Sequence, residues 1–156
     1  MQIIMLNTNV FGRPFDKLDS KEIMDEALAS YKIFSLAYSG LIEVKTSDVL
    51  FSEVSMIKDE LKRKFVFYLI SCISNERVKL NKDISRLADL LSQLIKDYMD
   101  SLHIAFAAVS GCSHLITCDK ELLNAWEDIE NLLSQNGFKA KITNPVAFIK
   151  DGLSMV

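Results

Sequence analysis

Residues 3–16 read IIMLNTNVFGRPFD. The run before Asn7 is apolar and β-branched, with no polar residue in alternation. That is the pattern of a strand covered on both faces, and such strands belong to parallel sheets with helices on either side. The run starts at Gln2 and stops abruptly at Asn7-Thr8-Asn9. A loop carrying Arg13, Pro14 and Asp16 follows. Ligands of parallel sheets lie at the carboxyl ends of the strands, so two amides at this place have two readings. Asparagine favours turns because its side chain bonds nearby backbone; alternatively, the position faces a ligand.

Working outward, strands and helices alternate. Residues 17–40 have helical periodicity with Ile23, Ala27, Tyr31, Phe34 and Tyr38 on one stripe, Asp19 and Glu22 as a capping box, and Gly40 as the stop. LIEVKTS (41–47) predicts a second strand, and 48–61 and 62–74 predict two helical pieces. ERVKLN (76–81) alternates weakly, as a short strand or a connector. Helices are expected over 83–96 and 97–111, the second capped by Asp97 and closed by Gly111. HLITC (114–118) reads as a buried strand, 120–137 as a helix with a break near Trp126, and 139–144 as the last strand. A final helix is expected over 145–152, with Asn144 as cap and Pro145 in first position. The alternation predicts an α/β fold, a three-layer α/β/α sandwich with a central, mostly parallel sheet, formed by one domain over residues 1–156.

The composition agrees. Hydrophobic residues at 49% and charged residues at 25% are globular values. A net charge of −3 argues against a cationic coat for nucleic acid and leaves room only for a local basic patch. Cys72, Cys112 and Cys118 lie in apolar contexts and read as buried free thiols of a reducing compartment. The N-terminal run is too short for a signal peptide, and no stretch approaches the ~20 apolar residues that span a bilayer. A soluble cytoplasmic protein with no membrane partner is the expectation.

Candidate site residues cluster at the predicted strand ends. Asn7, Thr8 and Asn9 follow the first strand, Asp119 follows HLITC, Glu53 lies on the second turn of the helix after LIEVKTS, and Asp100 lies in the first turn of the 97–111 helix. Each has a plain structural role: Asx turns for the amides, helix N-terminus complementarity for Asp100, an N-cap for Asp119, a solvated face for Glu53. Several acids at neighbouring strand mouths would repel one another unless a cation sat among them. Oxygen ligands of this kind suit Mg²⁺ or Mn²⁺, which activate water and neutralise a phosphodiester transition state.

These segments carry a resemblance. LNTNVFGRPFD (6–16) looks like the opening of PIN-domain nucleases, whose usual form has Asp where Asn7 stands, followed by Thr-Asn. DSLHIAFA (100–107) resembles that family's Asp-Ala-Leu-His-Ile-Ala helix, LITCDKEL (115–122) its strand ending in Thr-x-Asp, SEV (52–54) the place of its glutamate, and ITNPVAFI (142–149) its last strand and helix. The resemblance runs in order over essentially the whole chain. It implies the VapC-like branch: small metal-dependent endoribonucleases that hydrolyse RNA, usually homodimers, often the toxin of a toxin–antitoxin pair with an antitoxin protein as partner. Carried over, Glu53, Asp100 and Asp119 would be catalytic and metal-holding acids, with Asn7 in the first acidic position. Thr8, Asn9 and Thr117 would support them.

Asn7 departs from that pattern. An amide oxygen can ligate Mg²⁺ but brings no charge and accepts no proton, so activity is expected to be weakened. The second reading is a PIN domain that binds RNA or protein without cutting. A phosphatase on a related fold would need an aspartate nucleophile that Asn7 does not provide.

The KDELKRK stretch (58–64) offers Lys62, Arg63 and Lys64 as phosphate contacts, against a solvated helix face, and Arg13 is a further candidate, against a salt bridge with Asp16. His103 shares a helix face with Asp100 and reads as a packing residue more than a general acid; His114 reads as an edge residue. The aromatic-rich stretch 65–73 reads equally as a core helix or a partner surface.

Overall fold

The computed structural model describes residues 1–151. Its centre is a five-stranded sheet of β1 (Ile3–Leu6), β2 (Glu43–Ser47), β3 (Ser74–Val78), β4 (His114–Ile116) and β5 (Lys141–Thr143), in the order β3-β2-β1-β4-β5. Every pairing is parallel. The central strand explains the sequence that opened the reading. Ile4 and Leu6 pack into one apolar cluster and Met5 into the other, on opposite faces, and all three are buried. A strand with two covered faces cannot alternate apolar with polar, because each side chain leaves water. At about 1.5–3 kcal/mol for each such side chain, burial outweighs the modest cost of ordering it.

One outer layer is built mainly from α2 (Lys21–Tyr38), α4 (Glu60–Ile73) and α9 (Pro145–Asp151), and the other from α5 (Lys82–Leu91), α6 (Tyr98–Val109), α7 (Lys120–Asn124) and α8 (Trp126–Gln135). Two short pieces stand at the carboxyl ends of the strands: α1 (Thr8–Gly12), continued by a 3-10 turn at Arg13–Phe15, and α3 (Asp48–Ser55), which feeds side chains to both clusters. The architecture is the expected α/β/α sandwich. Chain order places the switch point between β1 and β4, since β2 and β3 extend the sheet on one side of β1 and β4 and β5 on the other. Side chains at those two strand ends converge.

Element by element, several expectations shift. Ser20, not Asp19, caps α2, its hydroxyl accepting from Ile23 N at 3.2 Å. The buried face of α2 carries Glu26, Ser30, Ile33 and Ala37 along with Ala27 and Phe34, while Tyr31 and Tyr38 are exposed. The buried face includes an acid that an apolar periodicity leaves out: Glu26, paired with Arg13 at 3.4 Å. The helix expected over 48–61 ends at Ser55; Asp59 then caps α4. β3 takes Ser74–Val78 rather than 76–81, and α5 stops at Leu91. Cys112 and Cys118 are buried, but Cys72 is exposed, because α4 turns that side of its apolar run to solvent. Gly40 and Gly111 do follow their helices in the left-handed region, with φ of 75° and 82°. The helix pair breaks at Ala125, and Asn144 caps α9 through Ala147 N at 2.7 Å. Gly152, the expected end of that helix, lies outside the described residues.

No helix among the described residues is long and apolar enough to cross a membrane.

Candidate active site

The strand ends are tied together by amides. Asn7 follows β1; its Oδ1 accepts from Thr8 N at 2.7 Å and caps α1, while its Nδ2 donates to Thr117 Oγ1 at 3.1 Å. Asn9 Nδ2 reaches the same hydroxyl at 3.2 Å, and Asn9 Oδ1 accepts from Cys118 N at 2.9 Å. Thr117 is fully buried just past β4, and its hydroxyl also accepts from Asp119 N at 3.1 Å. One hydroxyl therefore joins the exits of β1 and β4. This answers the question raised by Asn-Thr-Asn: both amides are used as two-ended connectors, accepting at Oδ1 and donating at Nδ2.

A cleft of about 400 Å³ opens beside this junction, lined by Asn7, Thr8, Asn9, Glu53 and Asp100 together with Gly12, Asp16, Ile57 and Lys62. Glu53 reaches it from α3. Its Oε1 accepts from the Thr8 hydroxyl at 2.5 Å and meets His103 Nε2 at 2.5 Å. His103 is fully buried on α6 and Glu53 is 29% exposed at its side chain. Burial pushes the Glu53 carboxyl up, but the hydrogen bond and charge of His103, with the Thr8 hydroxyl, hold it below its ordinary value. Glu53 is thus an ionised carboxylate fixed at one oxygen and lining the cleft.

Asp100, one turn before His103, is in the opposite condition. Burial pushes its carboxyl up to about 6, and the charges of Asp97, Asp119 and Glu53 add to this against the opposing effect of His103. Asp97 is the cap of α6, accepting from Met99 N at 2.9 Å. Asp119 caps α7 through Glu121 N at 2.9 Å and lies near enough to Asp100 to raise it, though outside the cleft lining. Lys120, its sequence neighbour, turns away to Glu22 at 3.3 Å. The chemistry of this donor set, carboxylate oxygens crowded against their own repulsion, fits a hard divalent cation. Its spacing is looser: among the described residues, no three His, Cys, Asp or Glu side chains close into a metal cluster.

No family model matches this sequence, and no curated protein matches it. Among solved structures, a chain of VapBC2 from Rickettsia felis, bound to a DNA fragment from their promoter, superposes with a TM-score of 0.60 at 18% identity, covering 92% of this chain and 98% of that one. The fold is PIN-like. A chain of VapBC-5 from Mycobacterium tuberculosis, a member of the VapBC family of toxin–antitoxin systems, matches with a TM-score of 0.52 at 16% identity, over 92% of this chain and 99% of that one.

On this PIN-like frame, the sequence candidates separate. Asn7, Glu53 and Asp100 meet in the cleft with Thr8 and Asn9, Thr117 lies beneath them, and Asp119 stands beside Asp100. The cations are scattered. Arg13 is paired to Asp16 at 2.9 Å and to buried Glu26 at 3.4 Å. Arg63 donates to the Ile57 carbonyl at 2.7 Å, and Lys64 lies outside with Glu60 at 3.0 Å. Lys62 alone of the four lines the cleft. His114 sits at the start of β4 against Phe148, far along the strand from the site. Cys118 lies close by, but burial foremost pushes its thiol up to about 12, so it supplies no thiolate.

Two site residues had no clear signal in the sequence. His103 read as packing; its contact with Glu53 depends on α3 and α6 meeting across fifty residues of chain. Asp16 read only as a partner for Arg13, yet it also holds Lys62.

Proposed function

We propose that this chain is a divalent-metal-dependent endoribonuclease, a single PIN-like domain acting in the cytoplasm as the toxin of a toxin–antitoxin pair. RNA is its substrate, and a second copy and an antitoxin protein are its partners. The observation that carries this reading is the cleft at the β1/β4 switch point. There Glu53, locked by Thr8 and His103, shares a half-buried mouth with Asp100 and Asn7. The PIN-like fold, and the toxin–antitoxin complexes that share it, support the choice of reaction.

Glu53, Asp100 and Asp119 are the residues that would hold Mg²⁺ or Mn²⁺, with Asn7 adding at most an amide oxygen. A cation bound there supplies charge neutralisation for the phosphodiester and an acidified water. The chain's own residues do the positioning. Thr8 and His103 keep Glu53 ionised and aimed, and Thr117 fixes the two strand exits at constant separation. Asp100, raised by burial first and then by the neighbouring acids, is the carboxyl whose charge a bound cation would favour most. Asn7 holds no proton to give and accepts none, so proton transfer rests on the remaining acids.

Asn7 also favours a second reading, a module that binds RNA or protein without cutting. Both ends of its amide are engaged in holding the fold, so the residue is well fitted to this place as an amide.

The test is cleavage of a mixed RNA substrate with Mn²⁺ by this protein, Asn7→Asp and Asp100→Ala. Cutting by the unmodified chain that disappears in Asp100→Ala supports the nuclease. Cutting by Asn7→Asp alone supports a silenced nuclease. No cutting by either, with several RNAs, moves the balance to the binding module.

A further inference from the structure

Resting on the nuclease reading, we infer that Lys62 is the phosphate-anchoring residue of the cleft, held ready against Gly12 by Asp16 and released to the substrate when it arrives. A cleft lined by Glu53 and Asp100 repels a polyanion, and binding there requires a cation in the same lining. Lys62 is the one lysine or arginine lining that cleft among the described residues.

Its seat is built. Gly12 is buried in ordinary right-handed helical backbone, with φ −82° and ψ −21°, so nothing in its conformation calls for glycine. The end of Lys62 lies close over this bare backbone: a Cβ at position 12 would stand 3.3 Å from Lys62 Cε and 3.5 Å from Nζ. The lysine stem lies across the bare backbone and carries the ammonium to the cleft wall. Asp16 then holds it at 3.3 Å through Oδ1, while Oδ2 bonds Arg13 at the shorter 2.9 Å. Arg13 keeps Glu26 as a second acid. Asp16 therefore has another cation to stay with when Lys62 leaves, and the lysine's contact is the longer of the two. A phosphate oxygen can replace Asp16 as its partner without leaving a buried charge unpaired.

The experiment is binding of a short single-stranded RNA, read by fluorescence anisotropy with chelator present and over a range of salt, for the unmodified protein, Lys62→Ala, Lys62→Arg and Lys32→Ala. Lys32 is exposed on α2 and controls for the loss of one charge anywhere. The expected result is a Kd about tenfold weaker for Lys62→Ala, with the salt slope shallower by about 0.7. Lys62→Arg should recover most of the affinity, and Lys32→Ala should match the unmodified protein. An unchanged Kd for Lys62→Ala, an equal loss in Lys32→Ala, or no binding by the unmodified protein overturns the assignment. Because the readout needs no cleavage, a chain that binds through Lys62 but never cuts would sink the nuclease reading and leave the anchor standing. If RNA is cut and Lys62→Ala leaves KM unchanged, the anchor fails and the nuclease stands.

Discussion

Asp100 and Glu53 share one cleft and are shifted in opposite directions, and the difference is local. Glu53 has a histidine and a hydroxyl on one oxygen; Asp100 has burial and three other acids. A carboxyl raised to about 6 in the folded protein contributes stability that is complete below its unfolded value near 4 and lost as pH rises through about 6. Asp100→Asn removes that loss. With chelator present at pH 7.5, it should be more stable than the unmodified chain by about 1 kcal/mol, after allowance for partial exposure, with no gain at pH 4; urea unfolding at both values checks it. Glu53 runs the other way: its contribution is present above its unfolded value and fades as pH falls through the lower folded one. Thr117 makes the opposite kind of case. Thr117→Val keeps the shape but leaves Asn7, Asn9 and Asp119 N–H donors without their acceptor, and a loss of about 2–3 kcal/mol is expected in denaturant unfolding. A loss below about 0.5 kcal/mol would mean that the junction is held elsewhere.

At the scale of elements, caps set where helices begin. The α2 cap is Ser20 and not Asp19, a shift of one residue; separately, the stripe read from periodicity put Tyr31 and Tyr38 inside, where Glu26, Ser30, Ile33 and Ala37 take the buried face. Ser20→Ala should cost about 1 kcal/mol and Asp19→Ala almost nothing, measured by thermal unfolding. Gly111, which ends α6 at φ 82°, is a cleaner case, because a methyl there meets open space. Gly111→Ala should cost about 1–2 kcal/mol from backbone conformation alone. Strands were legible for another reason: Ile4, Met5 and Leu6 are all buried, so the sheet's central member carried its own signature. β3 carried only a weak alternation over 76–81, since Asn75, Glu76 and Arg77 lie exposed at the sheet edge, where pairing is backbone work.

For the molecule as a whole, the sheet order decides what the acids can do together. Because β1 and β4 are neighbours and the chain leaves them in opposite directions, residues more than a hundred positions apart meet in one mouth. If that mouth takes a divalent ion, Mn²⁺ should raise Tm at pH 7.5 and raise it less at pH 5.5, where a proton competes for Asp100. Asp100→Ala should abolish the increase. Equal thermal traces with and without Mn²⁺ at both pH values would remove the metal from the proposal.

The sequence by itself determined the layers, the buried central strand and the acids at the strand ends, because burial on two faces and helical caps write their requirements into consecutive residues. It also marked Asn7 as a departure. Tertiary structure decided the rest. That Thr117 joins Asn7 to Asn9, that His103 and Thr8 grip Glu53, that Asp119 raises Asp100 without lining its cleft, and that Lys62 rather than Arg13 lines that cleft all depend on separate elements meeting. No local pattern encodes them, since a side chain's partner across the fold depends on how helices pack and not on its neighbours in the chain.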